Sequence, residues 1–418
     1  MPGGNREKRL TGGTLHKSRL RRSLLTALPA LGLIATASAA TALSASPASA
    51  ITSPPAALTS ISCTSATFCM AVGSATATMA TQLAAERWDG AHWHRLPIAK
   101  PSGVTNLGPQ AVACPSRTEC VAVGSGTKDS GAKGAKGTGG TTAVLLAETW
   151  TPAKGWTASQ PVQPGGTGYN ALNTISCPTT SLCFAAGGAG EFASPAAQQL
   201  PLVERWNGST WARVALGTPA GASDPFLSGI SCPSAWRCAA VGDYLAGNTT
   251  EGLIERLSGG TWTASTAPGS TGGGLNGVSC PAKTACEAVG EAGPALLAER
   301  WTGARWVPSA PAKPANTTTP TLTGASCASA AHCVAIGLGF LPGSKIVAFT
   351  DMLSPAWTVT AQTGSGFGIA ELSAVSCFST AKHAPSCAVL GGTTAVTATQ
   401  RPVSAFLTGT TWSIVPTM

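Results

Sequence analysis

Seven pairs of cysteines recur along this chain and account for all 14 cysteines among its 418 residues. The first cysteines of successive pairs lie 51, 63, 55, 48, 47 and 50 residues apart, and a glycine follows four residues after each second cysteine. A period of this size predicts one supersecondary unit repeated seven times. The pairs are Cys63 and Cys69, Cys114 and Cys120, Cys177 and Cys183, Cys232 and Cys238, Cys280 and Cys286, Cys327 and Cys333, and Cys377 and Cys387.

The first 50 residues have the order of an export signal. A basic stretch ending in Arg21 and Arg22 precedes an Ala/Leu-rich segment and then Ala48-Ser49-Ala50. This order predicts a signal peptide over residues 1–50, a short linker over 51–57 and the repeat domain over 58–418. The run from Arg21 to Leu25 also resembles a twin-arginine signal, so the twin-arginine and general secretory routes both stay open. We expect a secreted, extracellular protein without membrane insertion, because no later stretch is an apolar run of spanning length.

The formal net charge of +9 is concentrated in the predicted signal. Residues 51–418 keep 19 Lys and Arg against 16 Asp and Glu, which leaves a net charge of +3. Nucleic-acid-binding domains carry a much stronger basic surface than this. We therefore expect no nucleic-acid partner.

Regularly spaced cysteines in an exported chain predict disulfides, because bridges persist in oxidising compartments. Structural zinc sites use cysteine pairs about two to four residues apart, with four ligands close together. Here five residues separate most pairs, and the next pair lies some 50 residues away. Each copy is expected to bridge its own two cysteines, and we predict no metal and no cofactor.

Each copy has the pattern of four short strands. In the fifth copy, LNGVSC and CEAVG flank a turn with a proline, and ALLAERW and ARWVP flank a Thr-Gly turn. Such runs without a helical period predict an all-β fold. Seven copies, starting near residues 58, 109, 172, 227, 275, 322 and 372, predict a seven-bladed β-propeller with four antiparallel strands and one disulfide in each blade. With the first strand innermost, the bridged loops and the third-to-fourth-strand turns share one face, and the variable connections lie on the other.

A tryptophan closes the third-to-fourth-strand turn of each copy, in segments such as WDGAHW, WNGSTW and WTGARW. These turns resemble the Asp-box turns of sialidase-type propellers, with Asp89 and Asn207 at the acidic position. As a whole, the chain resembles the Cys-bridged propeller repeat proteins that actinobacteria secrete, a family without assigned activity. The tryptophans are Trp93, Trp156, Trp211, Trp262, Trp306, Trp357 and Trp412.

The variable connections are the predicted place for binding, because loops on a rigid scaffold commonly carry function. The longest covers residues 125–142 and contains Lys128, Lys133 and Lys136. It is either a basic arm that contacts an anionic polymer or a solvated insertion.

A glutamate recurs before the outer turn of five copies, but we predict no catalytic residue. A catalytic carboxylate pair would break the repeat symmetry, whereas these glutamates follow it. We expect them to bond backbone amides or the neighbouring blade. They are Glu86, Glu148, Glu204, Glu255 and Glu299.

Two main functions remain after this reasoning, besides a third possibility, a structural spore-coat or envelope component that needs no small ligand. The first is a monomeric, non-enzymatic binding or scaffold protein that recognises a cell-surface glycan, a cell-wall polymer or a protein through the variable loops of one face. The alternative is a glycoside-active enzyme, hydrolase or lyase, with acidic residues in the central funnel.

Overall fold

The structure is a computed structural model that describes residues 56–77, 80–98, 101–133, 139–164, 169–190, 199–343, 345–354, 356–361, 369–380, 383–393, 401–408 and 411–417. The predicted export signal and most of the predicted linker lie outside these residues.

The described residues form 28 strands in seven four-stranded antiparallel sheets. Blades 1 and 2 contain β1 (Ala56–Ser65), β2 (Phe68–Ala77), β3 (Ala80–Trp88), β4 (Trp93–Leu96), β5 (Val104–Ser116), β6 (Glu119–Lys133), β7 (Gly139–Thr151) and β8 (Gly155–Ser159). Blades 3 and 4 contain β9 (Asn170–Thr179), β10 (Leu182–Gly190), β11 (Gln199–Trp206), β12 (Trp211–Arg213), β13 (Ala222–Ser234), β14 (Arg237–Ala246), β15 (Thr249–Ser258) and β16 (Thr261–Thr266).

The remaining three blades follow the same order. Blades 5 and 6 contain β17 (Gly273–Ala282), β18 (Ala285–Ala292), β19 (Ala295–Trp301), β20 (Trp306–Ser309), β21 (Thr318–Ser329), β22 (His332–Leu341), β23 (Lys345–Leu353) and β24 (Trp357–Ala361). Blade 7 contains β25 (Ile369–Thr380), β26 (His383–Thr393), β27 (Arg401–Thr408) and β28 (Thr411–Pro416).

The seven sheets close into a ring. Within each blade the strands pair in chain order, and the first strand contacts the first strands of both neighbouring blades. The first strand of blade 1 contacts that of blade 7 in the same way, so the ring has no open end. This confirms the predicted seven-bladed propeller with the first strand innermost. The described residues contain no helix, and hence none that could cross a membrane.

A disulfide and a tryptophan lie in one row across each blade. In blade 1, Cys63 is bonded to Cys69, which pairs in register with Trp88, which in turn pairs with Trp93. The other six predicted disulfides are present as well. The bridged loops and the tryptophan turns therefore share one end of the blades, which we call the bridged face. The connections between second and third strands lie at the opposite end.

The glycine after each second cysteine faces an irregularity in the first strand. In blade 4 the register of β13 shifts between Leu227 and Gly229, directly opposite Gly242. A Cβ atom on Gly242 would lie 1.8 Å from the carbonyl oxygen of Phe226. The repeated glycine is required because the bulged inner strand leaves no space for a side chain.

Adjacent blades are joined near the axis by a hydrogen bond from a cysteine amide to a serine hydroxyl. The serine directly before the first cysteine of one blade accepts from the first cysteine of the next blade, as Ser231 does from Cys280 at 2.9 Å. The same bond links Cys114 to Ser62, Cys232 to Ser176, Cys327 to Ser279, Cys377 to Ser326 and Cys63 to Ser376. Blade 2 has Ala113 at the serine position, so the seam between blades 2 and 3 lacks this bond.

The connection predicted at residues 125–142 is largely an extended hairpin. β6 continues to Lys133 and β7 begins at Gly139, so most of this connection consists of regular strand. Lys128 is exposed on β6, and Lys133 is the last residue of that strand. Lys136 lies outside the described residues. The role of these lysines in binding stays a prediction.

Candidate functional site

The recurring glutamates lie between blades and not in the central funnel. They occupy the third strands, where their side chains are at most 4% exposed. Asp351 holds the same register position in blade 6, and Ala405 holds it in blade 7. Carboxylates buried in this way have no path to a substrate.

Burial dominates the chemistry of these carboxylates. Glu204 bonds a backbone amide as expected, since its Oε2 accepts a hydrogen bond from the amide of Val162 at 3.1 Å. Both carboxylate oxygens of Glu148, Glu255 and Glu299 are buried without a hydrogen-bond partner among the described residues. Burial raises the pKa of Glu148 and Glu255 to about 7 and the pKa of Glu299 to about 8.

Other titratable and aromatic side chains are held by structural contacts. Tyr244 is buried, with its hydroxyl 2.6 Å from Thr266 Oγ1. His94 lies 2.6 Å from Asp89 on the exposed outer turn of blade 1. Within the described part of the chain, no three His, Cys, Asp or Glu side chains are grouped so that they could hold a metal ion.

A tryptophan on the third strand is covered by the preceding blade at most seams where it occurs. Phe406 of blade 7 lies 4.9 Å from Trp88 of blade 1, and the Arg256 guanidinium of blade 4 lies 4.4 Å from the ring of Trp301 in blade 5. Phe68 of blade 1 lies 6.0 Å from Trp150 of blade 2. These covered tryptophans are 5–7% exposed.

Blade 2 breaks this pattern with a short side chain. Thr149 occupies the register position that Arg256 and Phe406 hold in their blades. Its side chain cannot extend over the next indole, and Trp206 of blade 3 remains half-buried. The result is an open groove of about 600 Å³ between the outer strands of blades 2 and 3. This volume lies within the range of small-molecule binding pockets.

The groove presents one aromatic surface and a set of neutral polar groups. Trp206 and Trp211 form its aromatic part, with ring centroids 5.4 Å apart. No charged side chain is among the described residues that line it. The polar lining consists of Thr149, Thr157, Ser159, Gln160, Ser209 and Thr210.

Hydrogen bonds hold much of this lining in place. The indole N–H of Trp211 donates to Ser159 Oγ at 3.1 Å, which joins the two blades beneath the groove. Asn207 Oδ1 accepts from the hydroxyl of Ser209 and from the amide of Thr210, so the turn between the third and fourth strands has a fixed shape. Gln160 and the Thr149 hydroxyl make no side-chain hydrogen bond within the described chain, and they remain available to a ligand.

The groove was not predicted from the sequence, although a signal is present. Arginine follows the recurring glutamate in four copies, at Arg87, Arg205, Arg256 and Arg300, and threonine follows it in blade 2. The meaning of that difference depends on which side chain of the next blade the position covers. Only the packed ring supplies this information.

No protein-family model and no curated protein sequence matches this chain. Among solved structures it is similar to a lectin from Burkholderia pseudomallei, with a TM-score of 0.52 and 13% identity over 88% of this chain and 100% of the lectin. It is also similar to a xyloglucanase from Xanthomonas campestris, with a TM-score of 0.51 and 12% identity over 84% of this chain and 52% of the xyloglucanase. At these identities the similarity shows the fold alone.

Proposed function

We propose that this protein is an extracellular, non-enzymatic glycan-binding propeller, and that the groove between blades 2 and 3 holds a neutral sugar. The observation that supports this most directly is the half-buried indole of Trp206, which the short side chain of Thr149 leaves uncovered. A pyranose ring has a face of C–H groups that stacks on an aromatic ring, and its hydroxyls bond to neutral polar side chains.

The polar groups around Trp206 suit sugar hydroxyls in number and type. Hydroxyl and amide side chains both donate and accept hydrogen bonds, as sugar hydroxyls do. Because Asn207 and Trp211 already fix Ser209, Thr210 and Ser159, binding would cost little side-chain entropy. A carbohydrate ligand also agrees with the two similar structures, a lectin and a xyloglucanase, but the proposal rests on the groove.

The lining also favours binding over glycoside cleavage. Hydrolysis of a glycosidic bond normally requires two carboxyl groups that flank it. The described residues that line the groove include no carboxylate, and the recurring glutamates are buried between blades. The hydrolase or lyase alternative is therefore less well supported.

The test measures binding of neutral oligosaccharides to the protein without its predicted signal, by intrinsic tryptophan fluorescence. Thr149→Arg places an arginine where it can cover Trp206, as Arg256 covers Trp301, and is expected to weaken binding by at least about tenfold. The matched control is Thr358→Arg, on the exposed outer strand of blade 6, which is expected to change affinity by less than about twofold. Trp206→Ala should abolish the fluorescence change.

Two results would contradict the proposal. One is equal affinity of the wild type and Thr149→Arg for every neutral glycan that binds. The other is turnover of chromogenic glycosides by the wild type that is lost when a single carboxylate is replaced, because that would indicate an enzyme.

A further inference from the structure

Three cationic side chains converge in a shallow depression on the bridged face, at the seam between blades 4 and 5. Arg237 and Arg256 come from blade 4, and Lys283 comes from the bridged loop of blade 5. Trp301 and Trp306 form its apolar wall. This depression is separate from the groove between blades 2 and 3, and it contains no carboxylate among its described lining residues.

The two arginines are held in defined positions. The Arg256 guanidinium stacks over the ring of Trp301 at 4.4 Å, which is a cation–π geometry. Arg237 Nη1 donates to Ser258 Oγ at 2.6 Å. A guanidinium fixed by such contacts loses less entropy when it binds an oxyanion than a mobile one does.

A comparison with blade 5 shows that the positive charge of Arg256 has no counter-ion among the described side chains. Arg300 holds the same register position in blade 5, and there Glu287 on the adjacent strand accepts from Arg300 Nε at 3.2 Å. The residue opposite Arg256 is Ala239. Among the described residues, no carboxylate forms an ion pair with Arg237, Arg256 or Lys283.

The positive charges in the depression repel one another. Burial, together with the positive charge of Arg237, lowers the pKa of Arg256 from its usual value. An oxyanion bound between these groups would remove this repulsion and would accept paired N–H donors from a guanidinium.

The bridged loop of blade 4, which carries Arg237, also carries an exposed aromatic ring. Trp236 precedes Arg237 in the bridged loop between Cys232 and Cys238, and it is 64% exposed. The disulfide fixes the base of this loop. An exposed indole on the same loop as Arg237 suits a sugar ring that carries an anionic substituent, whereas a protein partner would need a broader apolar interface core.

We propose that this depression binds a carboxylate or sulfate substituent of an acidic polysaccharide, with Arg237, Arg256 and Lys283 around the oxyanion and Trp236 against the sugar ring. This site is independent of the neutral-sugar groove. It adds a second ligand class to the neutral sugars proposed for the groove.

The test compares the wild type with Arg237→Gln/Lys283→Gln, which removes two charges and leaves Arg256 on Trp301. Polygalacturonate supplies carboxylates, dextran sulfate supplies sulfates, and unmodified dextran is the neutral control, all measured by calorimetry at low salt. The double variant is expected to lose at least about tenfold in affinity for one or both acidic polymers. The matched control Arg117→Gln/Arg305→Gln removes the same charge from exposed positions and is expected to change affinity by less than about twofold.

The outcomes separate this proposal from its rivals. Equal losses in the two double variants would overturn it, since binding would then follow net charge alone. Tighter binding of poly-L-glutamate or of a single-stranded oligonucleotide than of either acidic polysaccharide would overturn the ligand class. Failure of all acidic polymers to bind would contradict the proposal that the depression is a binding site. Thr149→Arg is expected to retain wild-type affinity for the acidic polymer, so the two sites can fail separately.

Discussion

The amide of Cys63 donates a 2.9 Å hydrogen bond to the hydroxyl of Ser376, although the two residues are 313 positions apart. This bond joins blade 1 to blade 7 with the same geometry that joins consecutive blades elsewhere. A second contact at this seam is the hydrogen bond from Trp93 Nε1 to Ser404 Oγ at 2.9 Å. The ring is therefore closed by the same kind of contacts that join its other blades, and the described strands of blades 1 and 7 each follow one another in chain order, without exchange.

The missing bond between blades 2 and 3 can be restored. Ala113→Ser places a hydroxyl where it can accept from the amide of Cys177, as Ser231 does from Cys280. We expect the free energy of unfolding to rise by about 1 kcal/mol, measured by urea denaturation. Ala282→Ser, in an exposed bridged loop, is the control and is expected to have little effect. A neutral or negative effect of Ala113→Ser would mean that the amide of Cys177 already has an equivalent partner.

The buried carboxylates predict a stability that falls as the pH rises. The pKa of Glu255 is about 7 in the folded protein, against an ordinary value of 4.5. Because the folded state binds the proton more tightly, this contribution to stability is complete below pH 4.5 and is lost as the pH rises through about 7.

Replacing that carboxyl by an amide should remove this dependence. We expect Glu255→Gln to raise stability at pH 8, by on the order of 3 kcal/mol, and to change it little at pH 5. Thermal unfolding at both pH values measures the effect. Asp129→Asn, at an exposed position, serves as the control. A stability difference that is equal at the two pH values would contradict the assignment to a titrating carboxyl.

The repeated glycine predicts a large cost for a single methyl group. We expect Gly242→Ala to lower stability by roughly 3 kcal/mol, because the new Cβ meets the carbonyl oxygen of Phe226 and the bulge must shift. At Gly217 a Cβ would have its nearest neighbour 4.0 Å away, so Gly217→Ala is the control. Similar unfolding midpoints for the two variants would show that the bulge relaxes freely.

Removal of one bridge is expected to weaken the protein without opening the ring. Cys280→Ala/Cys286→Ala deletes a disulfide that closes a loop with a sequence separation of 6. The chain-entropy estimate for so short a loop is about 2 kcal/mol. Thermal unfolding measures the loss, and retention of the native far-ultraviolet circular dichroism would show that the blades persist. Complete unfolding at room temperature would contradict this expectation.

The fold was predictable because its signals repeat in the sequence. Each Cys pair marks the turn between the first two strands, and each tryptophan such as Trp93 marks the turn between the last two. Six serines directly precede the first cysteines, yet their role was missed, because the partner of Ser231 is the amide of Cys280 in another blade. Repetition of a residue indicates that every copy needs it, but it does not reveal what the side chain contacts.

The two candidate sites depend on departures from the repeat, and these were harder to predict. Thr149 is unremarkable as a residue until Trp206 is known to lie opposite it. Ala239 likewise gains meaning from Arg256, because Glu287 fills the corresponding place in blade 5. Each departure is a missing cover or a missing counter-ion, and its consequence appears on a different strand or blade.

The row of disulfide and tryptophan at the bridged face leaves the opposite end of each blade without a covalent tie. In blade 4 the hairpin at that end is short, because only two residues join β14, which ends at Ala246, to β15, which begins at Thr249. In blade 2 the hairpin is long, because β6 extends for 15 residues to Lys133. Short and long hairpins are both compatible with the same ring, since neighbouring blades contact each other through their first strands near the axis. The molecule is accordingly suited to protein engineering as a display platform, in which foreign peptide segments are grafted into the unbridged hairpins.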